Sequence, residues 1–296
     1  MINISLFFNG FRGLEVYRLL KRKKKIKIKN IIIAKKFLNE NVLTILRKRK
    51  EKFILADKDG IHKIIKKNKK KIDINIFCGF PYIIKNDYLN LPKFGSLNLH
   101  AGKLPKYRGG SPLNWQIING EKNIGLSVIK MKKGIDTGNI VSEKIFKLSK
   151  KDDIKSVHEK SNNLFPAMTY RSIIKLFNRD RLKKQNNKKA SYFKQRNFED
   201  GIIDWNKKNS SQIFNFVRAL TFPYHNAYTL IKKKIFFIKE CSEFKKKLNI
   251  KHSSEFLIRG NFIFVKTKKN YIKFYNKDLC KFAKKRKIFK FDNYVA

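Results

Sequence analysis

Two short stretches carry side chains able to do proton chemistry. The first is LNLHAGKLPKYRGGSPLNW, residues 97–115, in which Asn98 and His100 stand two apart at the end of an apolar run, ahead of a turn rich in Gly and Pro. On a strand, side chains two apart point to one face, so the amide and the imidazole would stand side by side. Near the carboxyl end of a strand they would also stand at the edge where open α/β sheets bind ligands. An imidazole, with a free pKa of about 6.5, exchanges protons near neutrality, and an amide N–H stabilises a developing oxyanion. What the pair lacks is a carboxylate to hold the imidazole. MKKGIDTGNI, residues 131–140, supplies one: Asp136 follows a predicted strand in a loop whose Gly134 and Gly138 permit a tight turn and close approach to a ligand. With no Ser or Cys nucleophile beside them, Asn98, His100 and Asp136 point to transfer onto an amine brought by the substrate, the protein handling protons and charge. Taken one at a time, Asn-x-His also describes a hydrogen-bonded strand end, and Gly-x-Asp-x-Gly an ordinary turn.

The elements that must position these residues follow from periodicity. In the first half, short β-branched runs alternate with helical patterns, which predicts βαβ units and a mostly parallel sheet. Strands are expected at 3–8, 28–34, 53–56, 72–80, 95–100, 124–131 and 139–148, and helices at 12–23, 39–50, 60–71, near 112–119 and over 153–178. Residues 180–200 are polar and weakly periodic and read as a linker. Beyond them come a helical segment at 210–221 and short strands at 227–231, 234–241, 261–267 and 271–275, the pattern of a small barrel or sandwich. The expected domains are a catalytic domain over 1–180, a linker over 181–204 and a second domain over 205–296. No internal repeat is visible.

The bulk composition narrows the classes. Lys+Arg 71 against Asp+Glu 22 gives a formal net charge of +49 in 296 residues, which alone would point to a nucleic-acid or anionic-membrane partner. Yet lysine far outnumbers arginine and recurs along the chain with Ile, Asn and Phe. Selection for phosphate binding favours arginine's planar fork and concentrates charge on one face. A lysine-padded solvated surface is therefore the simpler reading, and it still attracts anionic substrates over a Debye length of roughly 8 Å. Cys78, Cys241 and Cys280 are too few and too far apart for a disulfide framework, and no Cys/His cluster has metal-ligand spacing. A reducing cytoplasm fits best. The N-terminus lacks a basic region before its short apolar run and a small-residue cleavage site. No run reaches about 18 apolar residues, so no membrane span is expected.

The segment NLHAGKLPKYRGGSPLNWQIINGEKNIGLSVIKMKKGIDTGNIV resembles the core of the formyltransferases that use 10-formyltetrahydrofolate, where Asn-x-His, Ser-Leu-Leu-Pro-x-x-Arg-Gly and Asp-x-Gly occur in this order. EDGIIDWNKKNSSQIFNFVRALTFPYHNAY, residues 199–228, resembles that family's junction into an OB-like C-terminal domain. The resemblance covers residues 73 to 230 and implies a Rossmann-like, mostly parallel sheet with helices on both faces, followed by a small OB-like β-barrel. It implies that Asn98 polarises the formyl carbonyl, that His100 handles protons at the tetrahedral stage, and that Asp136 orients and charges the histidine. Donor contacts, largely through backbone, map to Tyr82, Ile83 and Ile84 and to Lys132, Lys133, Gly134 and Ile135; Lys106 and Arg108 map to substrate binding. The cofactor implied is 10-formyltetrahydrofolate as co-substrate, with no metal. The chain departs from the pattern where Gly102-Lys103 replaces Ser-Leu, and where Gly110 stands at a position some sugar-modifying members fill with arginine.

The acceptor follows from the same resemblance. Enzymes acting on methionyl-tRNA carry a Pro-, Gly- and Arg-rich loop after the second strand, and here IIIAKKFLNENVLTILRKRKEK, residues 31–52, has none. Pro112-Leu113-Asn114-Trp115 and RALTFPYHNAY (218–228) look more like the enzymes acting on nucleotide-linked amino sugars, although PYHN at 223–226 departs from their Pro-Tyr-Pro-Gly. The expected partners are therefore the folate donor and a nucleotide-linked amino sugar, with a dimer possible. The alternatives are a methionyl-tRNA formyltransferase and a non-enzymatic basic nucleic-acid-binding protein.

Overall fold

The computed structural model describes residues 1–292. Its first element, β1 (Ile2–Phe8), is an apolar run buried almost throughout, the signature of a central parallel strand. It is followed in order by α1 (Phe11–Lys21), β2 (Ile26–Ala34), α2 (Glu40–Lys48), β3 (Ile54–Ala56), α3 (Lys58–Asn68), β4 (Ile74–Cys78), α4 (Asn86–Leu89), β5 (Ser96–His100), β6 (Arg108–Gly109), α5 (Pro112–Ile118), β7 (Asn123–Lys130), β8 (Asn139–Lys147) and α6 (Ile154–Phe177). Seven of these strands form one sheet in the order β3-β2-β1-β4-β5-β7-β8. Its β1–β2, β1–β4, β2–β3 and β4–β5 pairs are parallel, and β5–β7 is antiparallel.

Helices cover both faces of the sheet. Phe7 and Phe77 pack with Ile61 and Ile65 of α3, whereas Phe8, the next residue along β1, meets α1. A Cβ on Gly13 of α1 would lie 2.1 Å from Cβ of Phe8, so only glycine lets α1 approach that closely. Successive strand side chains point to opposite faces, which places α1 and α3 on opposite sides. The loop-borne helices start on side-chain caps: Asn39 accepts from Val42 N at 3.2 Å, and Asp57 from Gly60 N at 2.8 Å.

The chain then forms β9 (Tyr192–Phe193), α7 (Ser210–Arg218), β10 (Ala227–Ile231), β11 (Lys234–Ile238), β12 (Ser242–Phe244), β13 (Phe256–Arg259), β14 (Phe262–Lys266), β15 (Tyr271–Tyr275) and α8 (Lys277–Arg286). The later strands are antiparallel: β10 pairs with β11, and a second sheet runs β12-β15-β14-β13. Trp205 stacks on Phe291 at 5.2 Å and donates its indole N–H to Thr229 Oγ1 at 3.0 Å, a buried polar group satisfied inside an aromatic cluster.

By compactness the residues group into two units. One comprises 1–112, 123–146 and 158–193; the other comprises 113–122, 147–157 and 194–296. Residues 183–193, read from sequence as part of a linker, group with the first. Among the described residues no helix is long and apolar enough to cross a membrane, and no cluster of three or more His, Cys, Asp and Glu is placed to hold a metal.

Candidate functional site

The site is built in the first unit from three pieces of chain. Strand β5 carries Asn98 and His100 on one face, as their spacing requires. Its partners on β7 are Ile129 opposite Asn98 and Ser127 opposite His100, so β7 ends beside the start of β5. To bring Asp136 back to the level of residues 98–100, the loop after β7 must double back. It does so by pressing Gly138 against Lys130, where a Cβ would lie 1.9 Å from the Lys130 carbonyl oxygen. Gly134 and Asp136 both turn with positive φ, +100° and +53°; the first is natural to glycine, the second strained for aspartate.

Asp136 is the hub. Its Oδ1 accepts from Asn98 Nδ2 at 3.2 Å, its Oδ2 accepts from the Gly109 backbone N–H at 3.0 Å, and the same Oδ2 lies 3.4 Å from His100 Nδ1. His100 is 5% exposed and Asp136 12%, so water screens the pair little. The other ring nitrogen, Nε2, is 2.7 Å from the Tyr107 carbonyl oxygen. A carbonyl only accepts, so these partners assign the proton of the neutral ring to Nε2 and leave Nδ1 as the exchangeable position, aimed at Asp136. Burial pulls the His100 pKa below the usual 6.5, while the Asp136 carboxylate and the Tyr107 carbonyl oppose that shift.

Gly102 makes this ring orientation possible. A Cβ there would lie 2.4 Å from His100 Nε2 and 2.8 Å from the Tyr107 carbonyl oxygen. The departure from Ser-Leu-Leu-Pro thus sits against the imidazole itself. The Leu104–Pro105 peptide that follows is cis.

The structure brings Asn98, His100 and Asp136 together. Of the remaining expected residues, Ile83 and Ile135 are among the most exposed apolar side chains, at 75% and 55%, and stand on the loops after β4 and β7. Phe80 and Tyr82, also after β4, meet edge to face at 5.8 Å. Exposed Ile83 and Ile135, together with half-buried Phe80 and Tyr82, offer an apolar surface suited to a ring system such as a pterin. On the second loop, exposed Lys132, Lys133 and Gly134 lie in a turn where the Lys133 and Gly134 carbonyls already accept from Thr137 Oγ1 at 2.8 and 3.4 Å. Ile84 differs: its side chain is buried in the cluster with Phe7 and Phe77, which leaves only its backbone for a ligand. Lys106 is exposed.

Arg108, also expected at the substrate, is buried, at 2% exposed. It donates to Gln185 Oε1 through Nε at 3.1 Å and Nη2 at 2.8 Å, to Asn187 Oδ1 at 2.8 Å and to the Tyr192 hydroxyl at 2.7 Å. A guanidinium flanked by polar side chains from 185–192 is engaged within the protein. Gln185, Asn187 and Tyr192 had no periodic or motif signal to single them out. In the second unit, Trp115 donates its indole N–H to Lys194 O at 2.9 Å and lies under the Arg196 guanidinium at 4.9 Å, an ordinary packed tryptophan.

Known proteins resemble this chain in sequence and in fold. Residues 30–172 match the family model described as formyl transferase, and residues 197–288 match that of the formyl transferase C-terminal domain. By sequence, the chain is similar to the bifunctional polymyxin resistance protein ArnA of Wigglesworthia glossinidia brevipalpis, 40% identical over 176 residues, which are 56% of this chain and 26% of that protein. It is also similar to the methionyl-tRNA formyltransferase of Caldanaerobacter subterraneus, 34% identical over 164 residues, 55% of this chain and 52% of that one. The matches thus span about half or less of these relatives' lengths. In structure, the N-formyltransferase from Helicobacter canadensis, solved with folinic acid and dTDP-3-aminofucose, shares the fold with a TM-score of 0.70 at 20% identity, covering 93% of this chain and 99% of that one.

Proposed function

The chain belongs to the formyl transferase family, and from that premise we propose that it moves the formyl group of 10-formyltetrahydrofolate onto the amino group of a nucleotide-linked amino sugar. The observation that carries the reading is the convergence of Asn98, His100 and the Gly109 N–H on the two oxygens of Asp136. The donor supplies an activated formyl carbon; the protein supplies orientation and proton handling. Asn98 turns its amide to the oxygen on which negative charge develops as the amine adds. Asp136 supports the imidazolium form of His100: the proton released by the attacking amine reaches the edge between Nδ1 and Asp136, the side of the ring not committed to the Tyr107 carbonyl. It is returned to N10 of the donor as the formyl C–N10 bond breaks, leaving tetrahydrofolate and the formamide. Holding amine and formyl carbon in contact contributes roughly 7–11 kcal/mol, and the acid–base pair a further 10²–10⁴-fold, approximately.

Two features support a sugar acceptor. The connection from β2 to α2 is residues 35–39 alone, with no loop to extend toward an acceptor stem. The Helicobacter canadensis enzyme, solved with a dTDP-amino sugar, is matched over 99% of its length. The second reading, formylation of methionyl-tRNA, is favoured by the 34% identity to such an enzyme. The test is to incubate the protein with 10-formyltetrahydrofolate, a panel of nucleotide-linked amino sugars and methionyl-tRNA, and to follow which one gains the mass of a formyl group. Formylation of the tRNA and of no sugar overturns the sugar acceptor; binding of RNA without folate binding or transfer overturns the enzyme.

A further inference from the structure

Residues 183–193 look like slack chain in the sequence, yet both of their ends are fastened. At one end Lys183 exchanges backbone hydrogen bonds with Ile140 of β8, at 2.8 and 3.0 Å. At the other, β9 pairs in parallel with β6, Arg108 opposite Tyr192 and Gly109 opposite Phe193. The pairing is close: a Cβ on Gly109 would lie 2.3 Å from the Phe193 carbonyl oxygen. Between these fastenings stands Gln185. Its amide nitrogen donates to two carbonyls of the catalytic loop, Asp136 O at 2.8 Å and Gly138 O at 2.6 Å, while its Oε1 accepts twice from Arg108.

One of the two carbonyls is that of Asp136 itself and the other lies two residues on, so Gln185 holds the C-terminal side of a residue whose backbone has no reason of its own to keep its shape. Asp136 has φ of +53°, and a non-glycine residue persists there only where its surroundings over-determine it. Gln185 supplies that determination from the backbone side, and Gly109, next to Arg108, supplies it from the carboxylate side. The same strap reaches the other edge of the imidazole. Ser191 Oγ accepts from the Tyr107 backbone N–H at 3.2 Å, the Tyr107 ring stacks on Phe193 at 5.0 Å, and the Tyr107 carbonyl meets His100 Nε2.

We propose that Gln185 is a positioning residue, and that the 183–193 strap braces both edges of the His100 imidazole, through the Asp136 loop on one side and Tyr107 on the other. Arg108 is then the anchor of Gln185 rather than a substrate contact. The inference rests on the reading of His100 and Asp136 as the acid–base pair.

Gln185→Glu separates the two halves of the side chain. It keeps an acceptor for Arg108, removes both donors to the loop and sets a carboxylate oxygen against two carbonyls. Gln185→Ala removes both halves, and Gln185→Met, which preserves volume, takes its place if the alanine variant does not fold. The expected result is a fall in kcat of about 10²-fold for Gln185→Glu and Gln185→Ala alike, the cost of misplacing a reacting group by an ångström, with KM for donor and acceptor little changed. The pH–rate profile should shift. In ¹⁵N-labelled protein the His100 ring signals should move as well, a readout that needs no turnover. Wild-type kcat, pH profile and ring signals in Gln185→Glu overturn the proposal. A wild-type protein that formylates no acceptor overturns the functional reading instead, and the ring signals then decide the positioning role separately.

Discussion

The strand-borne imidazole and the loop-borne carboxylate beside it are held by different physics. On one side, His100 and Asn98 are fixed by the register of β5 between β4 and β7, so their relation to each other is a property of strand geometry. On the other, Asp136 sits in a loop with no ladder of its own, kept in place by individual polar bonds from Gln185, Gly109 and Asn98. A strand positions side chains cooperatively, and losing one bond changes little. A loop held by a few bonds loses its geometry when any of them goes. The more plastic half of the site is therefore the carboxylate, and substitutions should report that asymmetry.

The largest effects are expected at the reacting groups. His100→Ala and Asp136→Asn should each lower kcat by about 10²–10⁴-fold, measured by formyl transfer under saturating donor. Because the two act through one edge, the double variant should fall little below the worse single variant. Full multiplication of the two losses would break the picture of a coupled pair.

Next come the glycines, one on each side. Gly138→Ala places a methyl 1.9 Å from a backbone carbonyl, which cannot move aside without opening the loop. The expected cost is about 1–3 kcal/mol of stability by overpacking, read from the denaturant midpoint, with turnover falling because Asp136 is displaced. Gly102→Ala crowds the His100 ring as well as the Tyr107 carbonyl. The ring can turn, so a smaller stability loss and a change in the ¹⁵N signals of His100 are expected. Equal behaviour of the two variants would remove the distinction between the sides.

The pH dependence of stability has a definite sign. Burial holds the His158 pKa down at about 4 and lowers that of His100 as well. Between about 4 and 6.5 the unfolded chain binds protons that the folded chain refuses, so stability falls as pH drops through that window. The slope is at most about 1.4 kcal/mol per pH unit for each proton. His158→Gln should flatten it in thermal melts while leaving the acid limb of the rate profile in place, since the proposed mechanism assigns that limb to His100.

How much of this was legible in the sequence follows the same division. The parallel strands were readable because β1, β2 and β4 are short β-branched runs, and Asn98 and His100 followed from period two alone. Gly138 and Asp136 were readable as a glycine-flanked carboxylate, but the doubling back that returns Asp136 to β5 depends on a contact with Lys130 that no local pattern encodes. Gln185, Asn187 and Tyr192 were illegible because irregular chain fastened by side-chain bonds leaves no periodicity, and without them the resemblance mapped Arg108 to substrate binding. In the second unit α8 escaped because its apolar residues, Leu279, Cys280, Phe282 and Ala283, form a short cluster among lysines rather than a stripe repeated over several turns. β12 and β13, three and four residues long, are too short to show alternation.

The smallest expected effect is a control on locality. Asn209 caps α7 with a reciprocal box: its side chain accepts from Gln212 N at 2.9 Å, and Gln212 Oε1 accepts from Asn209 N at 2.9 Å. Asn209→Ala removes one half of that exchange and should cost about 1 kcal/mol, visible as a lower melting midpoint. The bonds that orient Asp136 all arise within the first unit, so kcat and the His100 ring signals should stay at wild-type values at temperatures where the variant is folded. A drop in kcat there would mean that the geometry of the carboxylate loop depends on more than Gln185, Gly109 and Asn98, and the contrast between strand and loop would have to be redrawn to include α7.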